Sequence, residues 1–502
     1  MSDATPLLRA YARWRRGRLR RQDPRGVQQE TLSRLLRLAT STRFGRRHRF
    51  AAIRSIDDFQ AAVPLRSYED FWREFFQPAF PRLTAITWPG TIPYFALSSG
   101  TSSGTTKYIP VSRAMVRSNR RAALDVLVHH LANRPRSRVL AGKSFLLGGS
   151  TALRLEAHGV LSGDLSGIAA VTVPRWARPF TYPPPGLALL ADWEQKIDLL
   201  ASHAPAEPIR SLSGTPSWLL LFFERLATRF PDRPRRLAAY WPGLDLVVHG
   251  GVSFAPYRAA FAEWLACGQA ELREVYPASE GFIAMADQGP DEGLRLIVDN
   301  GIFFEFVPVD TLSAAAPTRH WIANAETGVD YALALSSNAG LWSYLLGDIV
   351  RLVSRVPPRL RVVGRTSYFL SAFGEHLSGD EIEQAVLAAA AGAPVVEFAV
   401  GPETVGARGR HVFVVEFANA PPDSTRFADA VDAALLRLNE DYAAHRRGGQ
   451  LLPPRLIILT PGCFAAWMAE RGRLGGQNKV PRVITEPALL GSLLRRAGGL
   501  NS

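Results

Sequence analysis

Residues 95–112 read FALSSGTSSGTTKYIPVS, so hydroxyls, glycines and one cation follow a short strand pattern. Backbone N–H groups at glycines and side-chain hydroxyls donate hydrogen bonds to phosphate oxygens, and a lysine offsets the negative charge. The segment therefore predicts a loop that binds a nucleotide triphosphate, with Lys107 as its cation. It is not a Walker A loop, because only three residues separate Gly100 from Gly104 and the lysine comes three residues later.

Two other interpretations of these residues stay open. Residues 100–104 match the G-x-S-x-G motif of serine hydrolases, and His249-Gly250-Gly251 resembles their oxyanion motif. The order argues against a hydrolase, because in α/β-hydrolases the oxyanion segment precedes the nucleophile and here it follows. A surface loop rich in Ser, Thr and Gly is the ordinary alternative.

Three further segments have the chemistry that a bound nucleotide needs. Residues 247–253 form a buried-type strand that ends in glycines, including Gly251, where a flat base can lie against the backbone. Residues 275–281 offer the aromatic face of Tyr276 to adenine, the hydroxyl of Ser279, and the carboxylate of Glu280 to Mg²⁺. In residues 344–350, Asp348 follows a glycine and could accept hydrogen bonds from ribose hydroxyls.

Composition excludes several classes of protein. The chain has 502 residues and is 47% hydrophobic, enough for large cores in two or more domains. Its longest apolar runs, such as residues 218–223, are far shorter than the roughly 20 residues of a membrane span, and no apolar segment follows the first charges. We therefore expect a cytoplasmic protein without stable membrane insertion. Cys267 and Cys463 provide neither a disulfide framework nor zinc spacing, so both are expected to be buried thiols.

The net charge of +14 is concentrated near the start of the chain. Residues 1–50 contain 14 Arg and three acids, which accounts for +11 of that charge. These arginines alternate with leucines at helical spacing (Leu32, Leu35, Leu36, Leu38), the pattern of an amphipathic helix with a solvated charged face. No nucleic-acid recognition motif accompanies them, so no nucleic-acid partner is predicted.

The order of helical and strand patterns predicts a mixed α/β fold. Helical patterns cover residues 5–40, 57–76 and 113–133, and strand patterns cover 93–97, 144–148, 245–249, 273–276, 301–307, 332–335 and 349–353. The segment 174–186, rich in Pro and Gly, is expected to be a loop.

A second, smaller unit is predicted after the strand at 359–363. A capping box at 378–381 begins it. Helices are expected at 380–391 and 425–446 and strands at 395–400, 411–417 and 455–460, which predicts a small α+β domain. Near the end, the glycine-rich segment 472–482 is expected to be a loop that presents Lys479.

Together and in this order, the segments resemble the adenylate-forming superfamily of acyl ligases. They are more similar to its Gretchen Hagen (auxin-responsive) acyl-acid amido synthetase family, in particular the bacterial type. The likeness includes the phosphate loop, the segments around Tyr276 and Asp348, residues 364–375 and residues 476–482, and it extends to residues 44–65. The resemblance implies ATP and Mg²⁺ as cofactors, and a carboxylic acid and an amine such as an amino acid as substrates.

The resemblance also implies an architecture and a role for each matched residue. It implies a large domain of residues 1–363 that binds ATP and the acid, a hinge at 364–368 that includes Arg365, and a small mobile domain at 369–502. The phosphates would be bound by Ser98, Ser99, Thr101 and Ser102, in the same loop as Gly100 and Ser103. Adenine would lie next to Ser253 and Tyr276, the ribose would be held by Asp348, and Mg²⁺ would be bound by Glu280. Lys479 matches a late catalytic lysine. Ser367 departs from the pattern, because the superfamily often has an acid there.

Two alternatives remain for the reaction itself. The acyl group could pass to coenzyme A or to a carrier-protein thiol instead of an amine, or the chain could bind a nucleotide without catalysis. The sequence identifies neither the acid, the amine nor the oligomeric state. It also ties no histidine by a motif to deprotonation of the amine.

Overall fold

A computed structural model shows the fold of most of the chain. It describes residues 3–99, 106–148, 153–190, 192–251, 254, 257–265, 268–289, 292–312, 314–365, 377, 379–405, 408–419, 423–447, 451–471, 480–484 and 486–498. The chain divides into two compact units: the larger extends to residue 361, and the smaller comprises residues 347–349 and the chain from residue 362 onward. The hinge at 364–368 stays a prediction, and residues 366–368 lie outside the described residues.

The mixed α/β class is confirmed. The α-helices are α1 Thr5–Arg20, α2 Pro24–Ala39, α3 Arg43–Arg47, α4 Ile56–Ala62, α5 Tyr68–Phe71, α6 Arg113–Asn133, α7 Leu165–Val171, α8 Pro185–Ala188, α9 Trp193–His203, α10 Pro216–Arg229, α11 Arg258–Trp264, α12 Gly379–Ala390, α13 Ser424–Leu438, α14 Glu440–Arg447, α15 Cys463–Glu470 and α16 Pro487–Gly498. None of the helices that the structure describes is both long and apolar enough to cross a bilayer.

Strands occur throughout both units. They are β1 Tyr94–Ser99, β2 Thr106–Val111, β3 Lys143–Leu146, β4 Arg154–Ala157, β5 Val160–Gly163, β6 Thr181–Tyr182, β7 Ile209–Gly214, β8 Leu246–Gly250, β9 Glu271–Ala278, β10 Gly281–Met285, β11 Leu294–Leu296, β12 Ile302–Pro308, β13 His320–Trp321, β14 Asp330–Ser337, β15 Tyr344–Arg355, β16 Pro358–Arg365, β17 Val395–Val405, β18 Arg408–Phe417 and β19 Arg455–Leu459.

Two sheets organise the larger unit. Among the described residues, one has the strand order β13-β12-β14-β15-β16-β11-β10-β9-β8-β7-β3-β6, and the other has the order β2-β1-β5-β4. Strands β6, β3, β7, β8 and β9 pair in parallel. Since parallel strands end at the same edge of a sheet, the glycines that end β7 and β8 lie on one edge, a common place for ligands in α/β folds.

The two largest hydrophobic cores among the described residues of this unit support these sheets. The larger core contains many aromatic side chains, with Phe44, Phe71, Phe75 and Trp342 fully buried between the amino-terminal helices and the sheet. The second core packs α9, α10 and α11 against the parallel strands, around residues such as Phe222. Each buried aromatic ring removes a large apolar area from water, so these cores give the loops at the sheet edges a stable base.

The smaller unit is an α+β sandwich. In its described residues, the sheet has the strand order β17-β18-β19. Alternate residues of a strand point to opposite faces. Thus Phe413 and Val415 pack into the core under α12 and α13, while Val412 and Val414 pack under α15 and α16. Cys463 is buried, as predicted, whereas Cys267 lies outside the described residues.

Several predicted boundaries differ from the structure. The helical pattern at 5–40 forms two helices, because Pro24 begins α2 and the side chain of Asp23 accepts hydrogen bonds from Arg25 N and Gly26 N. The pattern at 57–76 splits into α4, α5 and a π-helical turn at Trp72–Phe76. The predicted loop at 174–186 contains a 3₁₀ helix at Arg175–Phe180 and the short strand β6.

The expectation that the arginine face is solvated is wrong at Arg15. This side chain is 3% exposed. Its guanidinium lies 2.7 Å from Asp125 on α6 and 2.7 Å from Asp299. A buried guanidinium needs such partners, so Arg15 connects α1 to the body of the larger unit.

Candidate active site

The predicted phosphate loop is the connection of a β-hairpin. Strands β1 and β2 pair from Tyr94 opposite Val111 to Ser99 opposite Thr106, so residues 100–105 join two paired strand ends. Gly100, Thr101, Ser102 and Ser103 lie outside the described residues, whereas Ser98 and the backbone of Ser99 lie in β1. A nucleophile elbow turns from a strand into a helix. Because β2 follows this loop, the hydrolase interpretation is wrong.

Lys107 lies in β2 beside this loop, opposite Ser98. Its Nζ is 3.6 Å from Glu69 Oε1 and 5.3 Å from the ring centre of Tyr68, both on α5. Tyr68 Oη also accepts a hydrogen bond from Tyr108 N at 2.8 Å, which attaches α5 to β2. Helix α5 thus holds the predicted cation at the base of the loop.

Glu280 occupies a tight turn between β9 and β10. Ala278 pairs with Gly281, so the turn consists of Ser279 and Glu280. Glu280 is 8% exposed, and Tyr344 Oη donates a hydrogen bond to its Oε1 at 3.0 Å. Burial raises the pKa of Tyr344 well above its ordinary value, and the nearby charge of Glu280 raises it further. The phenol therefore stays protonated and remains a donor to the carboxylate.

Helix α5 is also close to Tyr344. The ring centre of Phe71 is 6.0 Å from that of Tyr344, and the charge of Glu69 contributes to the raised pKa of Tyr344. Lys107, the predicted cation, is thus linked through α5 and Tyr344 to Glu280, the predicted metal ligand. We call Lys107, Tyr68, Glu69, Tyr344 and Glu280 the α5 cluster.

Sequence reasoning missed three members of the α5 cluster: Tyr68, Glu69 and Tyr344. The two residues on α5 lie far from Lys107 along the chain and belong to no phosphate-binding motif. The capping box of Ser67 and Asp70 was a local signal for this helix. It did not indicate that the helix would pack on β2.

The segments predicted to border adenine are neighbours in the sheet. Gly250 at the end of β8 pairs with Val275 in β9, the residue before Tyr276. A Cβ atom at Gly250 would lie only 2.1 Å from Val275 O, so the close approach of these strands requires glycine. Tyr276 is 8% exposed and packs in the larger core. Gly251 follows β8, and Ser253 lies outside the described residues.

Asp348 lies within β15 and is 6% exposed. It follows Gly347, whose φ of +88° is one that L side chains rarely adopt. Arg365 ends β16, while Lys479 and residues 372–376 of the matched junction lie outside the described residues. The roles of Asp348, Arg365 and Lys479 stay predictions.

The residues present fit a magnesium ion that binds together with a nucleotide. Where the structure describes the chain, no group of three or more His, Cys, Asp or Glu could hold a metal by itself. Mg²⁺ typically keeps several waters and binds one or two carboxylates plus substrate phosphates. Glu280, a buried carboxylate to which Tyr344 donates a hydrogen bond, matches the requirement for one protein carboxylate.

Comparisons with known proteins agree with this architecture. Models of the GH3 family match the chain in order: the N-terminal domain at residues 18–196, the central domain at 295–365 and the C-terminal domain at 380–488. A relative named indole-3-acetic acid-amido synthetase GH3.8, from Oryza sativa subsp. indica, is 30% identical over 277 residues, which cover 50% of this chain and 45% of the relative. The match thus spans about half the length of that relative.

Solved structures share the whole fold. The GH3.15 acyl acid amido synthetase superposes with a TM-score of 0.78 at 18% identity, covering 94% of this chain and 93% of that chain. A 2-hydroxyisobutyryl-CoA ligase in complex with 2-HIB-AMP superposes with a TM-score of 0.61 at 15% identity, covering 95% of this chain and 92% of that one. The fold is therefore that of adenylate-forming enzymes. With three domain models matched in order over most of its length, the chain belongs to the GH3 family.

Proposed function

We propose that the protein is an ATP-dependent acyl-acid amido synthetase. It would activate a carboxylic acid as an acyl adenylate and then transfer the acyl group to an amine such as an amino acid, forming an amide bond. The α5 cluster is the observation that carries the proposal, because it links a cation at the base of the hydroxyl-rich loop to a carboxylate that a buried tyrosine orients. Family membership and the shared fold support it.

The first half-reaction needs positioning and charge neutralisation. A carboxylate oxygen attacks the α-phosphorus of ATP, and the bond to pyrophosphate breaks. Lys107 would offset negative charge near the loop, whose hydroxyls would donate hydrogen bonds to phosphate oxygens. A magnesium ion bound to Glu280 would supply further positive charge at the leaving phosphates. No protein nucleophile is required.

Other residues would bind the rest of the nucleotide. Asp348 would accept hydrogen bonds from the ribose hydroxyls, and Tyr276 with Gly251 would border adenine. For Lys479 and Arg365 we keep the roles of catalytic lysine and hinge residue that the resemblance implies. Because ATP and free amino acids are abundant in the cytoplasm, we infer that the enzyme acts there.

The first half-reaction can be measured as carboxylate-dependent exchange of pyrophosphate into ATP. Lys107→Ala and Asp348→Ala should each lower this exchange by about 10²-fold or more, the scale of losing one preorganised charge contact. Lys143→Ala is the matched control, because this lysine pairs with Glu207, which precedes β7, and the change should leave the exchange rate unchanged. Rates equal to wild type in both test variants would contradict the proposal.

The acceptor can be identified from the products. Wild-type protein should form an amide from a panel of aromatic and aliphatic acids when amino acids are present. A thioester formed with coenzyme A, and no amide, would instead support transfer to a thiol.

A further inference from the structure

Asp164 lies beside the phosphate loop but belongs to no motif that the proposed function uses. Strand β5 pairs in parallel with β1, and Gly163 lies opposite Ala96. Asp164 follows Gly163 directly, at the end of this pairing, which lies two residues along β1 from Ser98. Neighbouring strands are about 4.8 Å apart, so the backbone of Asp164 is close to the start of the loop. Helix α7, which follows Asp164, also packs on β1.

One carboxylate oxygen of Asp164, Oδ2, has no hydrogen-bond partner among the described residues. Asp164 precedes α7, but its side chain accepts no hydrogen bond from the helix. Its Oδ2 is buried without a hydrogen-bond partner, and so is Oγ of Ser166 two residues later. Buried polar atoms are nearly always paired, so two unpaired ones only two residues apart indicate that a ligand with hydrogen-bond donors completes them.

The electrostatic surroundings favour a cationic ligand group. Burial raises the pKa of Asp164 to about 6, and the charge of Lys196 on α9 acts in the opposite direction. Lys196 is 1% exposed and donates a hydrogen bond to Ala188 O at 2.8 Å. Among the described residues, Lys196 is the charged group that acts on Asp164. At neutral pH, Asp164 is therefore an ionised carboxylate whose Oδ2 lacks a hydrogen-bond donor among the described residues, and an ammonium group would supply one.

We propose that Asp164, assisted by Ser166, binds the ammonium group of the acceptor substrate and removes its proton. This inference rests on the proposed function, because the acyl adenylate comes from the first half-reaction. The proton passes from the ammonium nitrogen to Asp164 Oδ2, which frees the nitrogen lone pair. The nitrogen then bonds to the acyl carbon, and the C–O bond to AMP breaks with its electron pair on AMP. The second nitrogen proton leaves with the AMP phosphate.

Amide formation with acceptors of different basicity distinguishes a role of Asp164 as a base from a purely structural role. Hydroxylamine is a neutral nucleophile near pH 7.5, so it needs no base, whereas an amino acid is protonated there. Asp164→Asn should lower amide formation with amino acids by about 10²-fold or more. It should lower hydroxamate formation and pyrophosphate exchange far less. Glu194→Gln removes an exposed acid on α9 and should behave as wild type in all three assays.

Three results are decisive. Amide formation by Asp164→Asn at the wild-type rate would overturn the proposal, and so would equal losses with hydroxylamine and amino acids. The absence of acid-dependent exchange in wild-type protein would instead refute the proposed function, a distinct result.

Ser166→Ala tests the same site if Asp164→Asn does not fold. Losing one hydrogen bond to the charged ammonium group should raise the KM for the amino acid about 10-fold and leave hydroxylamine unaffected. An unchanged KM in that variant would also overturn the proposal.

Discussion

At the scale of single residues, a neutral phenol orients the carboxylate of Glu280, the proposed metal ligand. Tyr344 is fully buried, and its raised pKa keeps the proton on Oη, which donates to Glu280. A hydrogen bond to a charged group contributes more than one between neutral groups, and it fixes direction as well as energy. Tyr344 is thus a positioning residue, since it would act on the metal and the phosphates through Glu280.

Tyr344→Phe should weaken magnesium use without unfolding the protein. We expect the magnesium concentration for half-maximal pyrophosphate exchange to rise about 10-fold, because loss of a charged hydrogen bond costs about 1.5–3 kcal/mol. Titration of exchange with magnesium measures this. Tyr331→Phe is the matched control, because Tyr331 is a buried tyrosine of the same core whose Oη accepts from Glu326 N. Equal magnesium dependence in both variants would show that Tyr344 does not position Glu280.

At the scale of elements, buried ion pairs decide where the first helix packs. Arg15 on α1 donates to both carboxylate oxygens of Asp125 on α6 and to those of Asp299. Asp125 is 2% exposed. Removing one partner from such a group leaves the other charges buried without compensation, which is more costly than losing a surface pair.

Arg15→Met should therefore destabilise the larger unit strongly. We expect a loss of about 3–5 kcal/mol in the free energy of unfolding, because the buried Asp125 and the partly buried Asp299 would lose their cation. Urea unfolding of wild type and variant measures the difference. Arg13→Met changes an exposed arginine of the same helix and should alter stability by about 0.5 kcal/mol or less. A similar small change in Arg15→Met would mean that the two acids find other partners.

At the scale of the whole molecule, buried histidines couple folding to pH. Burial lowers the pKa of His129 on α6 from 6.5 to about 3, and nearby Arg273 and Arg295 lower it further, while Asp287 acts in the opposite direction. Burial likewise lowers the pKa of His249 to about 4. At pH values between these lowered pKa values and 6.5, the two histidines bind more protons in the unfolded chain than in the folded chain. Stability is therefore fully present above pH 6.5 and falls as the pH falls.

His129→Leu should reduce this acid sensitivity. For wild type, His129 alone should lower the free energy of unfolding by about 2 kcal/mol between pH 7 and pH 5. In the variant, the free energy of unfolding should fall by about 2 kcal/mol less over this pH range than in wild type, whatever the stability of the variant at pH 7. Urea unfolding at both pH values measures it, with the exposed His158→Leu as the control for losing a histidine. An identical pH dependence in His129→Leu and wild type would contradict the expectation.

Local patterns predicted the parts of the protein that depend on neighbouring residues. Helix α6 has the predicted bounds of 113–133, because its period and its Ser112 cap lie within the segment itself. Three other predicted features also depend only on neighbouring residues: the strand before the phosphate loop, the glycine before Asp348, and the alternation of helices and strands within the smaller unit. The GH3 family was also recognised from such segments, since their order along the chain is a property of the sequence.

The tertiary structure decided which distant residues share the site. Three contacts join residues that are far apart in the chain: α5 with Lys107, Tyr344 with Glu280, and the segment before Asp164 with β1. Their side chains carry no local signal, because these contacts form only when the cores bring strands and helices together. Sequence alone therefore determined the family and the chemistry of its motifs, and long-range packing decided how those groups are oriented and which further residues act with them.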